Sequence, residues 1–303
     1  MKRQVVIGVD GGGTKTLALA EEVNGEWRGR GTAGPSNPYA VGFETACARI
    51  EAAVVEALGE NELAALCLGL AGAGRRDDVE QFAAWARTRF PGVPLKVGSD
   101  AEVLLAAGAP TGAALALVCG TGSIVYGRTA QGESIRVGGW GYLFGDEGSG
   151  FAIGAAALRV VMQAFDRRGP PTLLTGLILS RRNLKSPADL VRSIYGAESA
   201  RTEIAGLAEV VERAAAERDA PSISILNEAA YELAESVRAV YRRVGDIPVP
   251  LILSGSLILR GATLSAAFRR ACEMLEMTFT EIIEVPEPAA GAVVLARELI
   301  SSL

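Results

Sequence analysis

The chain begins with an apolar strand that runs straight into an acid and three glycines: residues 5–16 read VVIGVDGGGTKT. Glycine lets the backbone turn tightly and bring its N–H groups close to a ligand, because no Cβ blocks the approach. Asp10 at the strand end, the hydroxyls of Thr14 and Thr16 and the ammonium of Lys15 surround those bare amides. Such a set suits a metal-bound polyphosphate. The residues from Thr14 onward exclude two familiar glycine motifs. Gly8 to Gly13 has the Walker A spacing, but Thr14 stands where lysine is required. Residues 16–22 (TLALAEE) alternate like a second strand, where both a P-loop and a dinucleotide fingerprint must open a helix. Strand, glycine turn, strand describes a hairpin, and an ordinary hairpin turn needs fewer glycines than these.

The pattern then recurs. Residues 114–119 form another apolar strand, followed by Gly120-Thr121-Gly122-Ser123, a strand at 124–128 and a third near 135–139. Two strand–glycine turn–strand units about a hundred residues apart indicate two domains of one plan. Turn residues at 108–112 mark the boundary, giving domains 1–110 and 111–287, with a last helix over 288–303 joining the first. In the first domain, strands are expected at 5–9, 16–22, 26–32, 65–70 and 95–97, and helices at 44–58, 77–90 and 101–108. That is a mixed α/β sheet covered by helices. Beyond Gly145 the chain reads as mainly helical, with helices at 147–165, 188–195, 202–217 and 222–244. The last carries a one-sided stripe of Leu226, Ala230, Leu233, Val237, Val240 and Val244, which reads as core packing. A strand at 249–253, a helix at 263–275, a strand at 279–285 and a helix from Pro288 complete the chain.

Composition narrows the chemistry. The sequence of 303 residues has no histidine, which removes every Ser-His, Cys-His and His-ligated zinc mechanism. Its four cysteines are widely spaced among apolar neighbours and read as buried thiols of a reducing cytoplasm. A formal net charge of −5 argues against a nucleic-acid partner. A strand almost at the start leaves no room for a secretory signal, and no apolar run approaches the roughly 20 residues of a membrane span. A cytoplasmic protein with no membrane partner is expected.

Four loops follow predicted strands, where ligands of open α/β sheets gather. Two are the phosphate turns. A third, Ser254-Gly255-Ser256, is small enough to admit the flat face of a purine. The fourth is Gly98-Ser99-Asp100. Ser99 with Glu102 three residues later forms a capping box, so Ser99 accounts for the helix cap and Asp100 falls in the first turn. An ionised carboxylate there suits a general base for an alcohol, against the plainer reading of a dipole-stabilising surface acid. Gly34-Pro35-Ser36-Asn37-Pro38 is a rigid polar loop that presents Asn37 to a polyol. The run GGWGYLFGDEGSG over 138–150 packs Trp140, Gly141 and Asp146 into a glycine-rich connection that reads as a ligand loop; the plainer alternatives are packing for Trp140 and a helix cap for Asp146.

With these motifs in place, the chain resembles the BadF-type ATPases, specifically their N-acetylglucosamine kinase branch, within the superfamily of sugar kinases, actin and heat-shock chaperones. DGGGTKT looks like the first phosphate motif, GTGS the second, LSGSLI the adenosine motif and PAAGAV the second connecting helix. GPSN, GSDA and GGWG…GDEGSG are similar to the amino-sugar kinases in particular. The resemblance implies two ribonuclease-H-like (actin-like ATPase) domains with a helical C-terminal half, and nucleotide and sugar in the interdomain cleft. It implies ATP and Mg²⁺, with Asp10 holding the metal through water. Gly12, Gly13, Thr14, Lys15, Thr121 and Gly122 would grip phosphates, and Gly255 would lie under adenine. Asp100 would take the proton of the sugar's 6-hydroxyl, and Asn37, Trp140, Gly141 and Asp146 would meet the sugar. The implied substrate is an amino sugar, N-acetylglucosamine first, then glucosamine, N-acetylmuramic acid or glucose. Pro38-Tyr39 after Asn37 departs from some animal relatives, which leaves the N-acetyl contacts open. A homodimer is the default assembly.

Two rivals to a sugar kinase remain. An ATP-driven electron-transfer activator, found in the same broad family, needs paired cysteines for an iron–sulfur cluster, and these four are scattered. A sugar-sensing regulator or chaperone-like switch is expected to carry a DNA-binding or client-binding extension, for which the pattern shows no segment.

Overall fold

A computed structural model of the chain describes residues 2–25 and 28–301. It divides into two compact units, Met1–Thr111 with Glu287–Leu303, and Gly112–Pro286.

The first unit is built on β1 (Gln4–Gly11), β2 (Thr16–Glu22), β3 (Arg28–Ala33), α1 (Pro38–Val41), α2 (Phe43–Leu58), β4 (Glu62–Leu70), α3 (Arg76–Arg89), β5 (Leu95–Ser99) and α4 (Asp100–Gly108). Its sheet has the order β3-β2-β1-β4-β5, antiparallel through β1 and parallel from β1 to β5. The apolar run of β1 is explained by burial on both faces. Val5, Ile7 and Val9 face the core under α2 and α3, whereas Val6 faces a second core with Cys67, Val103 and Val293. Asp10 lies within β1, which runs two residues beyond the expected end at Val9. The strand expected over 26–32 begins at Arg28 in the structure, and Glu26 and Trp27 lie outside the described residues.

The second unit comprises β6 (Ala114–Cys119), β7 (Ser123–Arg128), β8 (Ser134–Gly138), α5 (Gly150–Phe165), α6 (Leu174–Arg181), α7 (Ala188–Tyr195), α8 (Ala200–Ala205), α9 (Ala208–Ala216), α10 (Ala220–Val244), β9 (Val249–Ser254), α11 (Ser256–Arg260), α12 (Ala262–Met274) and β10 (Phe279–Glu284). Its sheet order, β10-β9-β6-β7-β8, is the order of the first sheet read from the other edge. The internal repeat seen in the sequence is therefore a repeat of topology: a three-stranded antiparallel meander followed by two parallel strands. Asp219 caps the long helix α10 by accepting from Ser222 N, and Gly245 ends it in the left-handed conformation. Every residue of the predicted apolar stripe on α10 is buried. The stripe is core.

The chain returns to the first unit through α13 (Ala289–Ser301). This helix packs so closely on β1 that a Cβ on Gly8 would collide with backbone atoms of Ala289, Ala292 and Val293. That contact gives Gly8 a packing reason, separate from any phosphate motif.

Several helices differ from expectation. The helix expected from 147 starts at Gly150, because Ser149 accepts from Ala152 N and caps it there. The helix expected over 202–217 breaks at Gly206-Leu207 into α8 and α9, where glycine's low helix propensity meets a tight crossing with α5: a Cβ on Gly154 would strike Ile204 O. Helices α1, α6 and α11 have no counterpart among the expectations.

Candidate active site

In the first unit the strand ends carry the chemistry. Gly12 N donates to Lys15 O (3.0 Å), closing a short turn between β1 and β2. None of Gly11, Gly12 and Gly13 has a positive φ, so this turn does not need glycine for its torsions. The reasons differ along the run. A Cβ on Gly11 would lie 2.6 Å from Leu70 Cδ2 and from Ser36 Oγ, whereas a Cβ on Gly13 would meet nothing within 4 Å. Gly13, Thr14 and Lys15 form an exposed tip with bare backbone, open to a ligand.

The base of the turn is held from two sides. Ser36 N donates to Gly12 O (3.0 Å) and Ala71 N to Gly11 O (2.8 Å). The fully buried Thr16 hydroxyl donates to Gly34 O (2.7 Å) and lies 2.8 Å from Ser36 Oγ. The 34–38 loop is thus stitched to the phosphate turn, and that brings Asn37 to the same end of the sheet. Asn37 is itself a helix cap: its Oδ1 accepts from Tyr39 N (3.0 Å) and only its amide nitrogen stays outside the cap.

Asp10 and Asp100 sit at the carboxyl ends of parallel strands separated by one strand. Asp10 pairs with Gly69 and Gly69 with Gly98, so two strand spacings, roughly 9.5 Å, separate Asp10 from the residue two before Asp100. Gly69 between them has no side chain, and a Cβ there would collide with Val103 of α4. Strand alternation puts Asp10 on the Val6 and Gly8 face, the face covered by α4 and α13. Ser99 caps α4 by accepting from Glu102 N (3.3 Å) and leaves Asp100 as the first helical residue. The reciprocal half of the expected capping box is replaced, because Glu102 pairs with Lys96 at 2.7 Å. Asp100 Oδ1 accepts from Ala101 N (2.9 Å).

Burial, and then the charge of Asp100, push the Asp10 carboxyl up to about 7, against the pull of Lys15. A carboxylate so disfavoured is suited to a cation. Among the described residues no three His, Cys, Asp or Glu side chains are grouped to hold a metal alone. Mg²⁺ typically uses one or two carboxylates, waters and substrate phosphates, so a single Asp10 beside bare amides fits that ion.

In the second unit the Gly120–Ser123 turn lies against the start of α5. Gly150 N donates to Gly120 O (2.8 Å) and Phe151 N to Thr121 O (3.2 Å). The Ser254-Gly255-Ser256 turn is its neighbour across the β6–β9 pair. Gly255 has φ +98°, and a Cβ there would collide with the backbone of Cys119. Glycine is required at that position, and it keeps Gly255 beside the second turn.

Asp146 is not the helix cap of α5. Ser149 is the cap of α5. Asp146 is 3% exposed with φ +60°, turned inward beneath Gly122. A Cβ on Gly122 would lie 2.9 Å from each of its carboxylate oxygens, Oδ1 accepts from Ser123 N (3.4 Å), and Oδ2 pairs with Arg201 Nη2 (3.0 Å). Asp146 thus lies beside the second turn, between Ser123 N and Arg201. Trp140 is 68% exposed, with the Arg136 guanidinium 5.0 Å from its ring, and Gly141 has φ +85° with nothing near its Cβ direction.

The structure therefore brings Asp10, Gly12, Gly13, Thr14, Lys15, Asn37 and Asp100 to one end of the first sheet. It gathers Thr121, Gly122, Asp146 and Gly255 at one end of the second. Sequence reasoning missed the supporting residues. Ser36 lay in a loop already singled out, and its place beside Asn37 was the signal; Arg201, on a short helix 55 residues from Asp146, had none.

The chain matches the model of the BadF/BadG/BcrA/BcrD ATPase family over residues 7–296. It belongs to that family. The N-acetylmuramic acid/N-acetylglucosamine kinase of Clostridium acetobutylicum is 37% identical over 300 residues, 96% of this chain and 98% of that protein. The N-acetyl-D-glucosamine kinase of Dictyostelium discoideum is 32% identical over 98% of each. A crystal structure of a Chromobacterium violaceum protein assigned as an N-acetylglucosamine kinase superposes with a TM-score of 0.72 at 26% identity, covering 97% of this chain and 99% of that one. The mixed α/β architecture with two five-stranded sheets is that of the two-lobed, actin-like sugar kinases. Within the BadF/BadG/BcrA/BcrD family, the four cysteines of this member are all buried and unpaired. No described helix is long and apolar enough to cross a membrane.

Proposed function

We propose that this protein is an ATP-dependent kinase that phosphorylates the 6-hydroxyl of an amino sugar, with N-acetylglucosamine the first candidate. The observation that carries this reading is the arrangement of Asp10 and Asp100 at the ends of two parallel strands, one on each side of the β4 strand that carries Gly69, beside an open glycine turn. Relatives matching nearly the whole chain and named as N-acetylglucosamine kinases support the substrate class.

Phosphoryl transfer asks little covalent chemistry of a protein; positioning and charge neutralisation supply most of it. In this proposal the amides of Gly12 and Gly13, with Thr14 and Lys15, hold the outer phosphates. Thr121 and Gly122 hold them from the second unit, and Gly255 lies under the adenine. Asp100 orients the acceptor hydroxyl and takes its proton at a carboxylate oxygen, a role worth about 10²–10⁴ in rate. Asn37 uses its amide nitrogen on a sugar oxygen, with Trp140 and Gly141 lining the sugar. Asp146 holds a sugar hydroxyl. Mg²⁺ held by Asp10 through water would neutralise charge on the phosphates. Nucleotide and sugar are expected between the two units, whose closure would keep water from the phosphate. The assembly proposed is a cytoplasmic homodimer, to be checked by sedimentation.

A coupled assay of ADP release across N-acetylglucosamine, glucosamine, N-acetylmuramic acid and glucose tests the reading. Release stimulated by an amino sugar and stoichiometric with a 6-phosphate is the expected result. ATP hydrolysis indifferent to every sugar would overturn it.

A further inference from the structure

The loop that follows β8 carries two exposed aromatic rings, Trp140 and Tyr142, and each has an arginine guanidinium against it. Arg201 lies 5.4 Å from the centre of the Tyr142 ring, and its charge is taken up by Asp146 at 3.0 Å. Arg136 lies 5.0 Å from the centre of the Trp140 ring, and among the described residues no carboxylate pairs with it.

Arg136 is nevertheless fixed in place. It is exposed on β8, next to the buried Ile135, and its Nη2 donates to Gly139 O (2.7 Å). The loop bends around this side chain: Gly138 and Gly139 have φ of +75° and +67°. A Cβ on Gly139 would lie 3.2 Å from Arg136 Nη2 and would collide with Ile124. Gly138, the last residue of β8, pairs with Ile124 just after the second glycine turn. The tip of Arg136, bonded at Gly139, therefore stands at the end of the sheet where that turn lies. One backbone bond leaves most of the guanidinium donors for another acceptor. A carboxylate matches that planar fork with two parallel bonds.

The charges around the proposed site give this cation a meaning. Asp10, Asp100 and Asp146 bring carboxyl groups, and the co-substrate is a polyanion. A sugar with a carboxylate of its own would be repelled there without a cation to meet it. A neutral sugar such as N-acetylglucosamine leaves an unpaired guanidinium unused. N-acetylmuramic acid is the same amino sugar with a lactyl ether on its 3-oxygen, and that ether ends in a carboxylate. We infer that the site accepts an acidic amino sugar and that Arg136 selects it, receiving the sugar's carboxylate while Trp140 packs on the ring. This rests on the kinase proposal above and deepens it, adding a substrate class and the residue that recognises it.

Steady-state kcat/KM of the full chain for N-acetylmuramic acid and for N-acetylglucosamine, with the melting temperature of each variant, tests this. The unaltered protein is expected to phosphorylate both sugars. Arg136→Gln keeps a donor for Gly139 O and removes the charge. It is expected to lower kcat/KM for N-acetylmuramic acid by about 10- to 100-fold, and that for N-acetylglucosamine by less than about threefold. Arg136→Lys keeps the charge without the fork, and on the acidic sugar it is expected to fall between Arg136→Gln and the unaltered protein. An unaltered protein that uses N-acetylglucosamine but not N-acetylmuramic acid overturns the inference, as does an Arg136→Gln variant whose ratio between the two sugars is unchanged. Equal loss on both sugars, with or without a lower melting temperature, is such a result and would mean that Arg136 only holds the Trp140 loop. An unaltered protein that phosphorylates no sugar would instead sink the kinase proposal, so the two failures are distinct.

Discussion

The two glycine turns occupy the same place in the same topology, yet they are furnished in opposite ways. The first carries its charge locally: Asp10 precedes it, Lys15 lies on its tip, and Asp100 stands two strands away. The second has no charge of its own and takes Asp146 and Arg201 from distant segments. The first is braced mainly by backbone bonds and one buried hydroxyl, the second by a buried ion pair and stacked rings. A repeated backbone frame therefore sets where phosphate can be held, while the chemistry around it is added separately in each copy.

The largest expected effect divides the turns by task. Asp100→Asn should lower turnover by about 10²–10⁴ while ATP affinity holds, read by ADP release and calorimetry. If affinity falls with turnover, Asp100 serves the phosphate turn and the division breaks down. Gly122→Ala should come next, because its Cβ meets a carboxylate fixed by two partners. Overpacking of that kind costs about 1–3 kcal/mol and should appear as a lower melting temperature and weaker nucleotide binding. The matching Gly13→Ala faces open space, so stability should stay within about 0.5 kcal/mol while nucleotide affinity drops. Equal destabilisation by both would erase the contrast between a crowded turn and an open one.

Thr16→Val probes the brace of the first turn. It removes a buried hydroxyl that serves Gly34 and Ser36, at a cost of about 1–3 kcal/mol in denaturant unfolding. A silent substitution would mean that the backbone bonds from Ser36 and Ala71 suffice. The smallest effect concerns Cys119 at the foot of the second turn. Burial pushes its thiol up to about 12, as it does for Cys67 and Cys272, and Cys47 to about 11. All four should resist a thiol reagent at pH 8 in the native protein and react after unfolding. Rapid labelling of Cys119 would show the second turn opening in solution.

The succession of strands along the chain, both glycine turns, the cap at Ser99 and the core stripe of α10 were legible in the sequence. Each depends on local periodicity or on one residue's torsional and capping preferences. The helix break at Gly206 was not legible, because it answers to the crossing of α8 with Gly154 on α5. Asn37 reads as a ligand in the sequence and is first a cap, since a short polar side chain before Pro38 does both. The neighbourhood of Asp146 in the chain says nothing of the direction its side chain takes at a positive φ.

By itself, then, the amino-acid order determined the hairpins, the acids at their strand ends and the family to which they point, because those signals lie within a few residues of one another. The folded chain alone decided that Asp146 turns inward and that Arg201 meets it. A side chain's direction and a charge's partner depend on which helices pack together, and α8 meets α5 through tertiary packing that no local sequence signal encodes.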